Sequence, residues 1–167
     1  MNRYLTGLQE ALQAEAGAGE LLADVTADRI FVHRADRDAE LPLIVVWDFQ
    51  PKNIRIAHGA HYRISEYRAM VNVFCALSKD AAYSTQWTSA IQLLEKMEAV
   101  LLDNPFLKTT SYVNGLIQEG DRLRIESSGL YEATLPEVAA ATGKPCFMGQ
   151  LFCIANIIQS DQDFMAE

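Results

Sequence analysis

At 167 residues, with 50% hydrophobic and 22% charged residues, the chain is sized for one domain with a sizeable core, and its composition excludes a disordered chain. A formal charge of −8 with no basic cluster beyond the stretch from Arg34 to Arg37 argues against a nucleic-acid-binding surface. No apolar run approaches the roughly 20 residues that span a bilayer, and Met1-Asn2-Arg3-Tyr4 opens directly into an amphipathic pattern, so no membrane contact, no signal peptide and a cytoplasmic life are expected.

Residues 3 to 16 place Tyr4, Leu5, Leu8, Ala11 and Leu12 opposite Gln9, Glu10, Gln13 and Glu15, which predicts a first amphipathic helix ended by Gly17 and Gly19. Glu20 to Val25 reads as a short helical turn, Arg29 to His33 as a short strand, and Arg34 to Glu40 as a charged loop. Leu43 to Phe49 is an apolar, β-branched run typical of a central strand, with Pro42 tolerated at its entrance. Gln50 to Ala60 carries Pro51 and Gly59 and reads as a loop or hairpin tip, which makes the flanking strands antiparallel neighbours.

From Tyr62 the pattern alternates: Tyr67, Ala69, Val71, Val73, Cys75 and Leu77 against Arg68, Met70, Asn72 and Phe74, a long strand ending at Ser78. The spacing then switches to Trp87, Ala90, Ile91, Leu94, Met97 and Leu101, one stripe of a helix capped by Asp80 or Ser84 and closed by Asn104-Pro105. Leu116 to Ser127 reads as a hairpin around Glu119-Gly120-Asp121, and Gly129 to Pro145 as an excursion with a short helix at Leu135 to Ala141. Phe147 to Gln159 closes the fold as another long strand, and the acidic tail from Ser160 is expected to fray. The expectation is a single α+β domain over 1–167: a mostly antiparallel sheet of about five strands with two main helices on one face. Its core is 3–103 plus the closing strand 147–159, with a variable excursion at 106–146. Two helices leave the second sheet face, with Met70, Phe74, Phe152 and Ile154 or their alternates, as an apolar surface for an assembly to hide.

A search for chemistry finds no anchor. Thr142-Gly143-Lys144-Pro145 lacks the first glycine of a phosphate loop, since Val138 stands there, and Pro145 replaces the magnesium-holding hydroxyl. His58 and His61, with His33 as a third, read as polar loop residues rather than metal ligands. No G-x-S-x-G, H-E-x-x-H or G-x-G-x-x-G occurs. Cys75, Cys146 and Cys153 form no C-x-x-C pair and read as buried thiols; Trp47 and Trp87 read as core or interface residues. No catalytic residue, cofactor or metal is expected.

The order of features resembles the tail terminator (tail completion) proteins of long-tailed bacteriophages. The points of likeness are the N-terminal helix ending in Gly17-Ala18-Gly19, then Asp28-Arg29-Ile30-Phe31-Val32, Leu41-Pro42-Leu43-Ile44-Val45-Val46 and Tyr67-Arg68-Ala69-Met70-Val71-Asn72-Val73-Phe74. The helix with Ile91, Leu94, Met97 and Leu101 follows, so the likeness covers about residues 3–103. The resemblance implies a structural virion protein, not an enzyme, at the head-proximal end of the tail and assembled in the host cytoplasm. Such a protein is a hexameric ring that caps the tail tube, stops its polymerisation and forms the tail side of the head–tail junction. Its implied partners are further copies of itself, the tail tube protein and a head–tail connector or neck protein, with genomic DNA passing the lumen without specific binding. Carboxylates lining such a lumen repel the phosphate backbone, and Glu66, Glu119 and Asp121 are candidates. The alternatives are another head–tail connector or neck subunit or, from a different class, a small α+β ligand-binding domain or enzyme with a pocket between helices and sheet.

Overall fold

The computed structural model describes residues 2–36, 39–49, 54–58, 62–117, 121–134 and 145–160; of these, 2, 54–58, 62–63, 134 and 158–160 are described at the backbone only. The elements in chain order are α1 (Asn2–Ala14), a 3-10 turn (Ala27–Arg29), β1 (Ile30–Val32), β2 (Leu43–Asp48), β3 (Ile54–His58), β4 (Tyr62–Ala76), α2 (Tyr83–Asp103), β5 (Arg124–Thr134) and β6 (Pro145–Ser160). The sheet runs β1-β2-β4-β6-β5, with β3 pairing β4 beyond the end of β2. All pairs are antiparallel except β1 with β2. Both helices lie on one face, and the fold is α+β.

Burial follows the pleat. On β4, Tyr67, Ala69, Val71 and Val73 point to the helices and join the main core with Leu151, Cys153, Ala155 and Ile157 of β6 and Ile44 and Val46 of β2. From α1, Tyr4, Leu5, Leu8, Ala11 and Leu12 enter this core, and Tyr4 meets the Tyr67 ring at 5.9 Å between centroids. From α2, Ala90, Leu93, Leu94, Met97, Val100 and Leu101 do so. This stripe is rotated from the one read in the sequence, because Ile91 is only half-buried whereas Leu93 and Val100 are buried. Each fully buried leucine contributes about 1.5–3 kcal/mol relative to exposure.

Several local expectations are corrected. Residues Glu20 to Val25 form turns, with an isolated bridge between Ala16 and Leu22, and the helical turn comes later, at Ala27–Arg29. Gly17 and Gly19, at φ of 110° and 90°, supply the left-handed backbone that this reversal needs. Within Gln50 to Ala60 lies a strand, β3. Of the hairpin expected at Leu116 to Ser127, the tip at 118–120 lies outside the described residues, and 116–117 and 121–123 are not strand; a strand begins only at Arg124 and runs, with a bulge between Ile125 and Ser127, to Thr134 along β6, so this part of the 106–146 excursion belongs to the sheet. The helix expected at Leu135 to Ala141, the phosphate-loop-like 142–144 and the tail beyond Ser160 lie outside the described residues.

Neither Asp80 nor Ser84 caps α2. Ala82 holds the N-cap position without a side-chain bond, and Gln86 fastens the entrance instead: its Oε1 accepts the Ser78 N–H at 2.7 Å while its Nε2 donates to the carbonyls of Ser78 and Ala81.

Helix α2 crosses the sheet closely at Gly149, where a Cβ would sit 2.8 Å from Val73 Cγ1 and 3.0 Å from Leu94 Cδ1. A Gly149→Val substitution is therefore expected to force α2 off β6 and to cost about 1–3 kcal/mol, read as a lower urea midpoint with an unchanged m-value. Leu94→Ala, which opens a void at the same place, is expected to cost about 2–5 kcal/mol.

Candidate interaction surface

The second sheet face divides into two halves. Around β1 and β2 the connection between these strands folds back over it, and Ala35, Ala39 and Leu41 pack on Leu43, Val45, Phe74, Cys146 and Trp47. The bare apolar face read in the sequence is thereby corrected: of its four residues, Phe74 and Ile154 are buried and Met70 and Phe152 half-buried. The other half, over β4, β6 and β5, carries an open hollow of about 320 Å³.

Strand register builds the hollow. Trp47, Met70, Phe152 and Ser127 lie in one cross-strand row, and Val45, Asn72, Gln150 and Gly129 in the next. Phe49 continues β2 by donating its N–H to the Arg68 carbonyl at 3.3 Å, which sets its ring against Phe152, edge-to-face at 4.6 Å. Gln150 Nε2 lies between two thioethers, 3.7 Å from Met70 Sδ and 3.9 Å from Met148 Sδ. Tyr131, half exposed, folds back across Gly129, where a Cβ would come 2.5 Å from its hydroxyl. Arg68 supplies the cation of the hollow and gives both Nε and a terminal nitrogen to Glu66 Oε1 at 2.7 Å.

Polar satisfaction is poorest on this face. Trp47 Nε1, Asn72 Oδ1 and Asn156 Oδ1 are buried without a hydrogen-bond partner among the described residues, and register places all three on this side of the sheet. Each such atom costs about 1–3 kcal/mol. On the helix side the Tyr4 hydroxyl is the counterpart, and burial, followed by the nearby Cys153, pushes its pKa well above the ordinary tyrosine value.

The two sheet edges differ as well. At the β1 edge the strand has three residues, Gln9 Nε2 donates to the Ile30 carbonyl at 2.7 Å, and His33 turns the chain away at a φ of 66°. At the other edge β5 presents eleven residues with no further strand beyond it among the described residues. The β6 edge past the end of β5 is closed by Asp121, whose Oδ2 accepts the Asn156 N–H at 3.0 Å.

The lumen candidates are thus separated. Glu66 is paired with Arg68 on the second face, Asp121 holds the β6 edge, and Glu119 lies outside the described residues. The structure does not bring Glu66 and Asp121 into contact through any bond; Asn156, which pairs with Glu66 and donates to Asp121, stands between them. Reasoning from sequence missed the hollow, although every β4 and β6 residue in it carries an even number; the signal was parity, with Arg68, Met70, Gln150 and Phe152 in one register.

Of the histidines, His33 is exposed and its backbone N–H donates to the Val46 carbonyl, while the His58 side chain and His61 lie outside what is described. No cluster of three metal-ligating side chains occurs among the described residues, and none of their helices is long and apolar enough to cross a membrane. Cys146 and Cys153 are buried and Cys75 half-buried, all free thiols. Burial pushes the thiols of Cys75 and Cys153 up to about 12. No protein-family model matches the chain, and comparison with curated proteins finds no match.

Two outcomes are expected from these groups. With folded thiol pKa values raised above the ordinary value of 9.0, the neutral forms favour the native state, so this stability is complete below about pH 9 and is lost as pH climbs towards 12. Chemical denaturation curves from pH 8 to 11 should show it, and native protein at pH 8 should leave Cys153 unmodified by a disulfide reagent that titrates all three thiols in denaturant. On the helix side, Glu10 accepts from the Ser111 hydroxyl at 2.5 Å and the Ser111 N–H at 3.3 Å, and Ser111 and Thr109 hold its pKa below 4.5. That tie is present at neutral pH and is lost as pH falls through the lowered pKa. Ser111→Ala should return the Glu10 carboxyl towards its ordinary titration in a carbon-detected NMR series.

Proposed function

We propose that the chain is a phage tail terminator: a structural virion subunit that assembles as a hexameric ring, caps the tail tube, stops its polymerisation and forms the tail side of the head–tail junction. The protein acts by binding. The observation that carries this reading is the imbalance of the sheet among the described residues, with one face closed by helices and the other carrying an aromatic hollow, three buried polar atoms without partners and an eleven-residue edge strand. A surface of this kind is what a soluble protein keeps for a partner. The α+β architecture and its element order support the resemblance drawn from residues 3–103.

A ring needs a head-to-tail contact, in which different patches of each copy meet and the rotation closes. Its upper and lower surfaces then take the connector and the tube protein, and DNA passes the lumen. Glu66 and Asp121 stay candidates for the lining: Glu66 with its charge tempered by Arg68, Asp121 with one oxygen held by the β6 edge. The net charge of −8 suits a channel that must not retain phosphate.

The test is deletion of the gene from the replicon that carries it, followed by measurement of tail lengths in negative-stain electron micrographs. Headless tubes of uncontrolled length are expected. Tails of normal length beside unattached heads would transfer the protein to the connector class, and intact virions would overturn both assignments.

A further inference from the structure

Residues 161–167 read Asp-Gln-Asp-Phe-Met-Ala-Glu, an aromatic and a thioether side chain set among three carboxylates. The hollow on the second face offers the complementary set. It is lined by Phe49, Met70, Phe152, Gly129 and Tyr131, with Arg68, already paired to Glu66, as its cation. Aromatic side chains seated in such pockets are the usual anchors of protein contacts, and a flanking charge pair fixes their register. We propose that Phe164 of one copy docks in this hollow of a second copy, with Asp163 beside Arg68.

Chain reach decides that the contact is between copies. Ser160 pairs with Tyr62, whereas Phe152 pairs with Met70 and Ile154 with Arg68. At roughly 3.3 Å per residue, Ser160 therefore ends about 26 Å along β6 from Phe152 and about 20 Å from Ile154. The four residues from Ser160 to Phe164 span at most about 14 Å when fully extended. A chain's own Phe164 falls short of its own hollow, and a neighbour's does not carry that limit. Tail and hollow are different patches, so each copy gives one contact and receives one, the heterologous arrangement from which rings are built. The docking deepens the ring reading and rests on it for the second copy. The two fail separately, because tail length in a deletion strain reports on the terminator role and says nothing about where Phe164 sits.

The experiment places a benzophenone-bearing amino acid at position 164 of the full-length chain. Equal amounts of ¹⁵N-labelled and unlabelled protein are mixed at a dilution where copies exchange, then concentrated, irradiated and digested. Cross-links to the β4 and β6 peptides that carry Met70 and Phe152 are expected, with mixed-label products among them. Phe164→Ala should weaken self-association at least tenfold in sedimentation, and Phe164→Tyr should restore most of it. Cross-links only within one label, cross-links that avoid both peptides, unchanged association of Phe164→Ala, or a chain that stays monomeric at every concentration would each overturn the docking. Overlong tails in a strain carrying Phe164→Ala, with monomeric protein in solution, would join the supporting results only where the cross-link is also found; the cross-link to another site would overturn the docking and leave the terminator role standing.

Discussion

The ladder between β4 and β6 governs the placement of everything else, because it joins Tyr62–Ala76 to Cys146–Ser160 as fifteen consecutive antiparallel pairs with no bulge. A shift of β6 by one residue against β4 would turn Leu151 and Cys153 away from the helices and bring Gln150 and Phe152 beneath them. The only side chain small enough to let α2 lie against both strands is the absent one at Gly149. Leu94 fills that gap, and its seat there keys the helix to the ladder. Register, helix height and the division of polar from apolar residues are therefore one constraint expressed three times.

That division explains why the second face is not simply a second core. Its rows mix Asn72 and Gln150 with Met70 and Phe152, and put Arg68 and Glu66 next to Asn156. A helix laid over such rows would bury amides and an ion pair with few partners, at the cost of several unmet hydrogen bonds. The connection before β2 covers only the apolar end, around Phe74 and Leu43, where Trp47 Nε1 is the one buried polar side-chain atom left without a partner among the described residues. What is left over is amphipathic, shallow and open, a composition closer to the core and rim of a protein contact than to a domain interior.

Much of this was legible from periodicity. The period-2 stretches gave β4 and β6, the continuous apolar, β-branched run gave β2, and the 3.6 period gave α1 and α2; of the three thiols read as buried, Cys146 and Cys153 are so and Cys75 is half-buried. The misreadings have local causes. Arg124 to Thr134 is an edge strand with a bulge between Ile125 and Ser127, so its alternation breaks at Glu126 and its exposed serines and glycine imitate a turn. β3 pairs antiparallel with β4 in a stretch where Pro51 and Gly59 point to a loop or hairpin tip. Gln86 replaced a conventional cap through an amide that reaches both Ser78 and Ala81, a contact that no local preference announces. The hollow was illegible for a different reason. It is assembled from β4, β5, β6 and Phe49 just past β2, and beyond the parity within each strand only the cross-strand register tells which residues share a row.

The unequal edges bear on how copies could associate. A sheet with two open ends can add subunits edge to edge without limit, and such growth gives fibres rather than closed particles. Here β1 is short, its Ile30 carbonyl is taken by Gln9 and its exit is turned by His33, so that end offers little template. The β5 edge is long but cannot readily meet its own copy: an antiparallel self-pairing centred on Gly129 sets Glu126 against Glu132, like charges in facing positions. With one edge blunted and the other unsuited to that self-pairing, edge-to-edge growth is disfavoured, which suits the head-to-tail contact proposed for a ring. Contacts of that kind have a direction, and direction is what allows a fixed number of subunits to close.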